Sequence, residues 1–419
     1  MTIFFSKPRG PLYALRQVAC VTLWVMLGTA TAMAQDATTL VPSPVAEQPQ
    51  AVAQGPTAAD GMTLIYGGEG VPKDVDAGMA VLKTLADAGD VAAQRDLGEM
   101  LIGGWAVPRD VAAGRPLLQA AAEAGDAKAQ LTLGRFYLYG IGLPKDMKRA
   151  QDLFEQVAER GDPTGLRLYG EAVMWSEKDP KQAESYLIRA GDMGQGAAWA
   201  ILAEGAMYGY LGGGSTSRAK FGDFAERARA MGNERIEVLD ATRQMWGISM
   251  RASGPKTLKK LTKAADAGNT EAARFLIALV RDGNGMNIRK DPAQAADLAE
   301  RYATLLSPEE QWRTAFTISA AKTKQVRIYK GLREQLANAP GQIDKSFGED
   351  LFKANPNFAI YLLQARMKQA GVYRGKLDGL AGEGTVRSLS KTCRKALLRD
   401  DCADDVLKST VVGALIAKT

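Results

Sequence analysis

The chain has 419 residues, with 53 Lys and Arg, 47 Asp and Glu, three Cys and no His. That length accommodates two or three domains or one long repeat array, and 46% hydrophobic with 24% charged residues argues against general disorder. The missing His excludes Ser-His-Asp and Cys-His nucleophile systems, HExxH zinc hydrolysis and His-centred metal sites, so catalysis would have to rest on carboxylates, Lys, Tyr or Ser.

Residues 1–34 are expected to be a signal peptide. Lys7, Arg9 and Arg16 make a positive, acid-free start, an apolar stretch runs from Val18 to Leu27, and small residues end at Ala32-Met33-Ala34. This is the order of a secretory leader with an A-x-A site cut before Gln35. The apolar run is about half the length of a membrane span. Gln17-Val18-Ala19-Cys20 lacks the Leu of a lipoprotein box, so lipidation is not expected. No later segment approaches the roughly twenty apolar residues of a span, and the mature chain is expected to be periplasmic without stable membrane insertion. Loss of the leader takes the net charge from +6 to +3, and the remainder is uneven: residues 351–419 carry twelve Lys and Arg against six Asp and Glu. The basic C-terminal part and the acidic part before it therefore suggest separate roles.

Residues 35–60, rich in Ala, Pro, Gln and Val, read as a flexible linker. From residue 61 the sequence repeats. Ala88-Gly89-Asp90, Ala124-Gly125-Asp126 and Arg160-Gly161-Asp162 are 36 residues apart. Gly98, Gly134 and Gly170 keep that period, as do Pro72-Lys73-Asp74, Pro108-Arg109-Asp110 and Pro144-Lys145-Asp146. Several marks sharing one period indicate a repeat architecture. Each unit reads as two helices. The first runs from about Val91 to Ile102, with Ala92, Ala93, Leu97 and Leu101 at helical spacing. Gly103-Gly104 permits a turn, Pro108 blocks continuation, Asp110 suits the N-cap of the second helix, and Gly125 ends it. Gly78, Gly114, Ala150 and Ala183 mark close helix approach, while Pro116 interrupts the second-helix pattern. Six or seven helix pairs are expected over residues 61–306.

The Ala88–Gly98 and Ala124–Gly134 phrases, and Tyr139-Gly140-Ile141-Gly142-Leu143-Pro144-Lys145-Asp146, resemble Sel1-like repeats, relatives of the tetratricopeptide repeat. The resemblance is close from about Met62 to Gly161, weakens up to the insertion Leu211-Gly212-Gly213-Gly214-Ser215, and returns in degraded form to about Leu306. It implies an all-α fold, a right-handed α-solenoid of helix–turn–helix repeats whose concave groove holds partner proteins. Stacked pairs would share one core, since no single pair can bury its apolar face. Tyr137, Tyr139, Trp175, Trp199, Tyr208 and Trp246 are candidates for core or groove. Residues 307–354 read as a less regular helical connector, with Lys324, Arg327, Lys330 and Arg333 on one face.

Residues 355–419 are expected to form a small C-terminal helical domain. Asn355-Pro356 opens a helix with an Ile360, Leu363, Met367 stripe. Leu363-Gln364, Gly371, Tyr373-x-Gly375, Asp378-Gly379, Gly382 and Thr385 together resemble the small peptidoglycan-binding module appended to cell-wall hydrolases. Ala381 stands where that family prefers an aromatic, and Thr392-Cys393 replaces its closing Phe-Gln. The resemblance implies a peptidoglycan site at Tyr373, Arg374, Asp378, Gly379, Thr385 and Arg387. Cations at Arg374, Lys376, Arg387, Lys391, Arg394 and Lys395 suit the carboxylates of wall stem peptides. Cys393 and Cys402, the two Cys left after processing, suggest a disulfide. On one unbroken helix they would lie too far apart, so the pairing needs a break near Asp400 or Asp401.

These readings converge on a non-enzymatic periplasmic scaffold: envelope proteins in the groove, peptidoglycan at the C-terminal module, and no cofactor, metal or nucleic acid. The alternatives are a regulator of a signalling receptor and a carboxylate-based wall glycosidase drawing on Glu99, Glu171 or Glu204.

Overall fold

A computed structural model describes residues 55–418, apart from 105, 177–178, 213–214, 340–342, 397–401 and 403–404. The expected leader, all but the end of the linker, and the break at Asp400 or Asp401 lie outside the described residues. The fold is all-α, an α-solenoid of helix–turn–helix repeats followed by a small set of C-terminal helices. Among the described residues seven helix pairs follow one another. They are α1 (Ala58–Tyr66) and α2 (Val75–Asp87), α3 (Val91–Gly103) and α4 (Val111–Glu123), α5 (Ala127–Tyr139) and α6 (Met147–Glu159), α7 (Pro163–Ser176) and α8 (Pro180–Asp192), α9 (Gly196–Tyr208) and α10 (Arg218–Ala230), α11 (Arg235–Trp246) and α12 (Gly254–Asp266), and α13 (Thr270–Asp282) and α14 (Pro292–Arg301). Then come α15 (Pro308–Lys322), α16 (Val326–Ala337), α17 (Lys345–Ala354), α18 (Pro356–Gln369), α19 (Glu383–Ala396) and α20 (Ser409–Lys418). The chain packs as two compact units, one ending at Leu153 and one beginning at Phe154 within α6. Among the described residues no helix is long and apolar enough to cross a membrane.

The 36-residue period is a period of helix caps. Asp90 and Asp126 each accept the N–H three residues on at 2.7 Å. Asp74 and Asp110 do the same for the second helix of their pairs, at 2.9 and 3.0 Å. The glycine before each first-helix cap turns the chain: Gly89, Gly125 and Gly161 have φ of 88°, 86° and 78°, a backbone that side chains with a Cβ rarely adopt. At Gly103-Gly104 only Gly104 takes a positive φ, 74°, and Gly103 is the last residue of α3. Pro116 lies inside α4 without ending it. It supplies no N–H to the preceding turn.

The recurring small residues are where the two helices of a pair meet. In the first unit a Cβ at Gly98 would stand 2.6 Å from the Leu118 nitrogen and 2.9 Å from the Gly114 carbonyl, and one at Gly78 would stand 2.5 Å from the Gly61 carbonyl. In the second unit a Cβ at Gly170 would lie 2.8 Å from the Leu187 side chain and 3.2 Å from the Ala183 carbonyl. Ile65, Leu82, Leu97 and Met100 form one core in the first unit, and Leu261, Leu276, Ile277 and Ile288 belong to another in the second. Apart from Glu204, the α9 helix is apolar on every side, and it is buried from Ala198 to Tyr208, as expected of a helix enclosed by neighbours. Tyr137, Trp199 and Tyr208 are therefore core residues, whereas Tyr139 is 40% exposed.

The C-terminal helices share two cores. Phe316, Tyr329, Phe347, Phe358 and Tyr361 form one, and Ile360, Leu363, Met367, Leu389, Val412 and Leu415 form the other. Residues 307–354 pack into both neighbours. Asn355 caps α18 through the Phe358 N–H at 3.0 Å and donates to the carbonyls of Ala320 and Thr323 at 2.8 Å. Lys290 Nζ, from the turn of the last repeat, donates to the Ala354 carbonyl at 2.7 Å. The α20 helix crosses α17 at two glycines, where a Cβ at Gly413 would stand 2.6 Å from the Lys345 carbonyl. Lys324, Arg327, Lys330 and Arg333 are exposed beside the buried Tyr329, Leu332 and Leu336.

Candidate functional site

The C-terminal motif is organised by a residue that sits on the apolar stripe of α18. The Gln364 side chain is fully buried. Its Oε1 accepts the N–H groups of Asp378 and Gly379 at 3.1 and 2.8 Å. Its Nε2 lies 2.9 Å from Asp378 Oδ1, and 3.1 Å from both the Leu380 carbonyl and Thr385 Oγ1. The loop between α18 and α19 is thus folded around one amide. A buried polar group needs such partners, because leaving it unmet costs more than the bonds gain.

The six expected site residues divide into two sets. Tyr373, Asp378, Gly379 and Thr385 build the loop. The Tyr373 hydroxyl donates to the Lys376 carbonyl at 2.8 Å, and the Thr385 hydroxyl donates to the Leu380 carbonyl at 3.0 Å. Thr385 lies inside the first turn of α19 and does not cap it. Burial works to raise the Asp378 carboxyl, but hydrogen bonds from Gln364 and the Leu380 N–H hold it below the usual range. Gly379 turns at φ 73°, and a Cβ there would stand 2.4 Å from the Asn357 carbonyl, so it faces α18 and is absent from the lining of the nearby depression. Arg374 and Arg387 are the exposed set. With Lys391, Ser388 and Leu380 they line an open depression of about 680 Å³.

Cys393 and Cys402 are joined by a disulfide, with Cα atoms 6.0 Å apart across nine positions of sequence. Cys393 packs into the core made by α18, α19 and α20. Closing a loop of that size stabilises by about 2.7 kcal/mol in the chain-entropy model. Reduction is expected to lower the unfolding free energy by about that much, measured by urea denaturation with and without reductant. Two free thiols in oxidised, denatured protein would contradict the pairing.

A second constellation lies on α7, α9, α11 and α13, and no motif or spacing groups its members. Arg235 donates to Glu204 Oε2 at 2.5 Å, and Arg167 stands 3.4 Å from Glu171. Burial raises the Glu204 carboxyl, Arg235 opposes the rise, and Glu171 adds to it. Glu271 is raised by burial against Arg235 and Arg274. The Glu204 side chain is only 4% exposed and held by a guanidinium, and it is a ladder rung between repeats. Glu99 belongs to the first unit, where Thr132 Oγ1 lies 3.5 Å from it. Among the described residues no group of three or more acidic or Cys side chains could hold a metal.

Comparison with known proteins follows the same repeats. The Sel1 repeat family model matches residues 91–126, 127–162 and 165–195, and the first two stretches begin at the first residues of α3 and α5. No curated protein matches the chain. A Sel1 repeat protein from Oxalobacter formigenes is 22% identical over 58% of this chain and 96% of its own, with a TM-score of 0.43. A protective antigen of uropathogenic Escherichia coli strains, displaying an SLR fold, is 20% identical over 86% of this chain and 83% of its own, with a TM-score of 0.40. A Pseudomonas aeruginosa protein is 21% identical over 53% of this chain and 82% of its own, at 0.35. The three matched stretches are Sel1-like repeats, a class that generally serves as a non-catalytic scaffold for protein–protein interaction.

Proposed function

We propose that the chain is an exported, non-enzymatic adaptor of the cell envelope: its repeats hold an envelope protein and its C-terminal module attaches the pair to peptidoglycan. The leader pattern at 1–34 supports export, and the repeats support a protein partner. The observation that carries wall attachment is the loop wound around Gln364, which gathers the residues of the peptidoglycan-binding phrase and leaves Arg374, Arg387 and Lys391 around one open depression. Cations there complement the carboxylates of wall stem peptides, and several weak exposed pairs add to a salt-sensitive retention.

The test is pelleting of the mature chain with purified peptidoglycan. The Arg374→Gln, Arg387→Gln, Lys391→Gln triple variant is expected to lose most of its retention, and retention of the unaltered chain is expected to fall as salt rises. Undiminished pelleting of the triple variant would refute wall attachment through this module. Substitution is preferable to truncation near residue 350, which would cut α17 away from α20. Crosslinking in cells, followed by identification of the captured protein, tests the adaptor role and separates a structural partner from a signalling receptor.

A further inference from the structure

The depression beside α19 holds more positive charge than the fold uses. Arg374 and Lys391 line it, and neither makes a hydrogen bond or ion pair among the described residues. Unpaired cations around one hollow create a field that draws an anion in. Among the described residues Asp378 is the one carboxylate in the lining, and its Oδ1 is engaged by Gln364 and the Leu380 N–H. Among the described residues Tyr373 is the one aromatic in the lining, and it is buried with its hydroxyl bonded to the Lys376 carbonyl. No ring therefore stands free to stack on a sugar, and the chemistry favours carboxylates over glycan. Gly382 and Gly384 form a bare rim. Neither has a left-handed backbone, and neither has an atom within 4 Å of where a Cβ would be. Gly382 starts α19, its carbonyl accepting the Val386 N–H, and together the two leave a rim that a ligand chain could pass closely.

Arg387 differs from the other two cations. It is paired with Glu383, one helical turn earlier, and both side chains are largely exposed, at 77% and 87%. We infer that Glu383 is a built-in stand-in for a ligand carboxylate, holding Arg387 in the free protein and releasing it when a carboxylate of the incoming peptide takes its place. Resting on the wall-attachment reading, the ligand is the carboxylate-bearing stem peptide, gripped by Arg374, Lys391 and the released Arg387. Glu383 thereby sets a threshold: a ligand with a single carboxylate gains little from displacing it, and one with several engages all three cations.

The experiment is calorimetric titration of the oxidised mature chain at low ionic strength. One ligand is a stem pentapeptide with free carboxylates, and the other is the same peptide fully amidated. The free form is expected to bind about tenfold more tightly than the amidated one, or better. Arg374→Gln is expected to weaken the free form about threefold or more, and Glu383→Gln to tighten it about twofold to fivefold, the range set by an exposed ion pair. Equal binding of the two peptides, or Glu383→Gln that leaves affinity unchanged or lowers it, overturns the inference. Pelleting on whole peptidoglycan, run in parallel, separates the two levels. Retention that needs this module while neither peptide binds overturns the carboxylate inference and leaves wall attachment standing; loss of both in the unaltered chain overturns both.

Discussion

Replacement of Gln364 by Leu is expected to lower the stability of the C-terminal helices by about 3–5 kcal/mol, because several buried groups lose their partner at once. Leucine matches the apolar stripe of α18, so packing of Ile360 and Met367 would survive. The cost arises in the loop. The N–H groups of Asp378 and Gly379 lose their acceptor, that of Gly379 in a buried position, and Asp378 Oδ1 keeps the Leu380 N–H as its donor. Each unmet buried group costs on the order of 1–3 kcal/mol. The expected signature is local: faster amide exchange over residues 371–385 and loss of wall retention, with the repeats unchanged. A denaturation shift below about 1 kcal/mol would show that the loop stands without its central amide.

Gly98→Val is expected to have an effect of similar size on the repeats, about 3 kcal/mol. A Cβ at this position meets the backbone of α4 at Leu118 and Gly114, and backbone cannot swing aside as a long side chain would. The α3–α4 pair must separate, exposing Leu97, Met100 and Leu118, all now buried. In a stacked array each pair rests on its neighbours, so the damage is expected to spread outward from residues 91–123 as lowered exchange protection. Gly89→Val serves as the contrast, since a Cβ there meets nothing within 4 Å and the cost comes only from its φ of 88°. If Gly98→Val leaves exchange over α3 and α4 unaltered, the close crossing is not what holds the pair.

The repeats were legible because period, caps and turns coincide in one short alphabet. Asp90 and Asp126 announce the same helix start that the structure uses, and the glycine beside each announces the turn. The C-terminal phrase was legible as a motif, but the division of labour within it was not. Arg374 and Asp378 look alike as polar loop residues, yet one is exposed and the other is tied to a buried amide. The signal that could have separated them was Gln364 itself, a polar residue directly after Leu363 on the helix that carries the buried stripe. The Glu204–Arg235 rung was invisible for a different reason. Its partners lie 31 residues apart on different helix pairs, and the 36-residue period does not bring them into register by itself.

The packing around Asn355 sets a mechanical property. The last repeat and the C-terminal helices are joined by the Lys290 bond to the Ala354 carbonyl, and beside it Asn355 ties α18 to the carbonyls of Ala320 and Thr323 at the end of α15. A force applied at α13 would therefore reach the Gln364 loop through backbone and aromatic side chains. In the proposed adaptor, cargo on that repeat would keep a constant bearing toward the surface that the Arg374 side is proposed to grip, as on a bracket and unlike a leash.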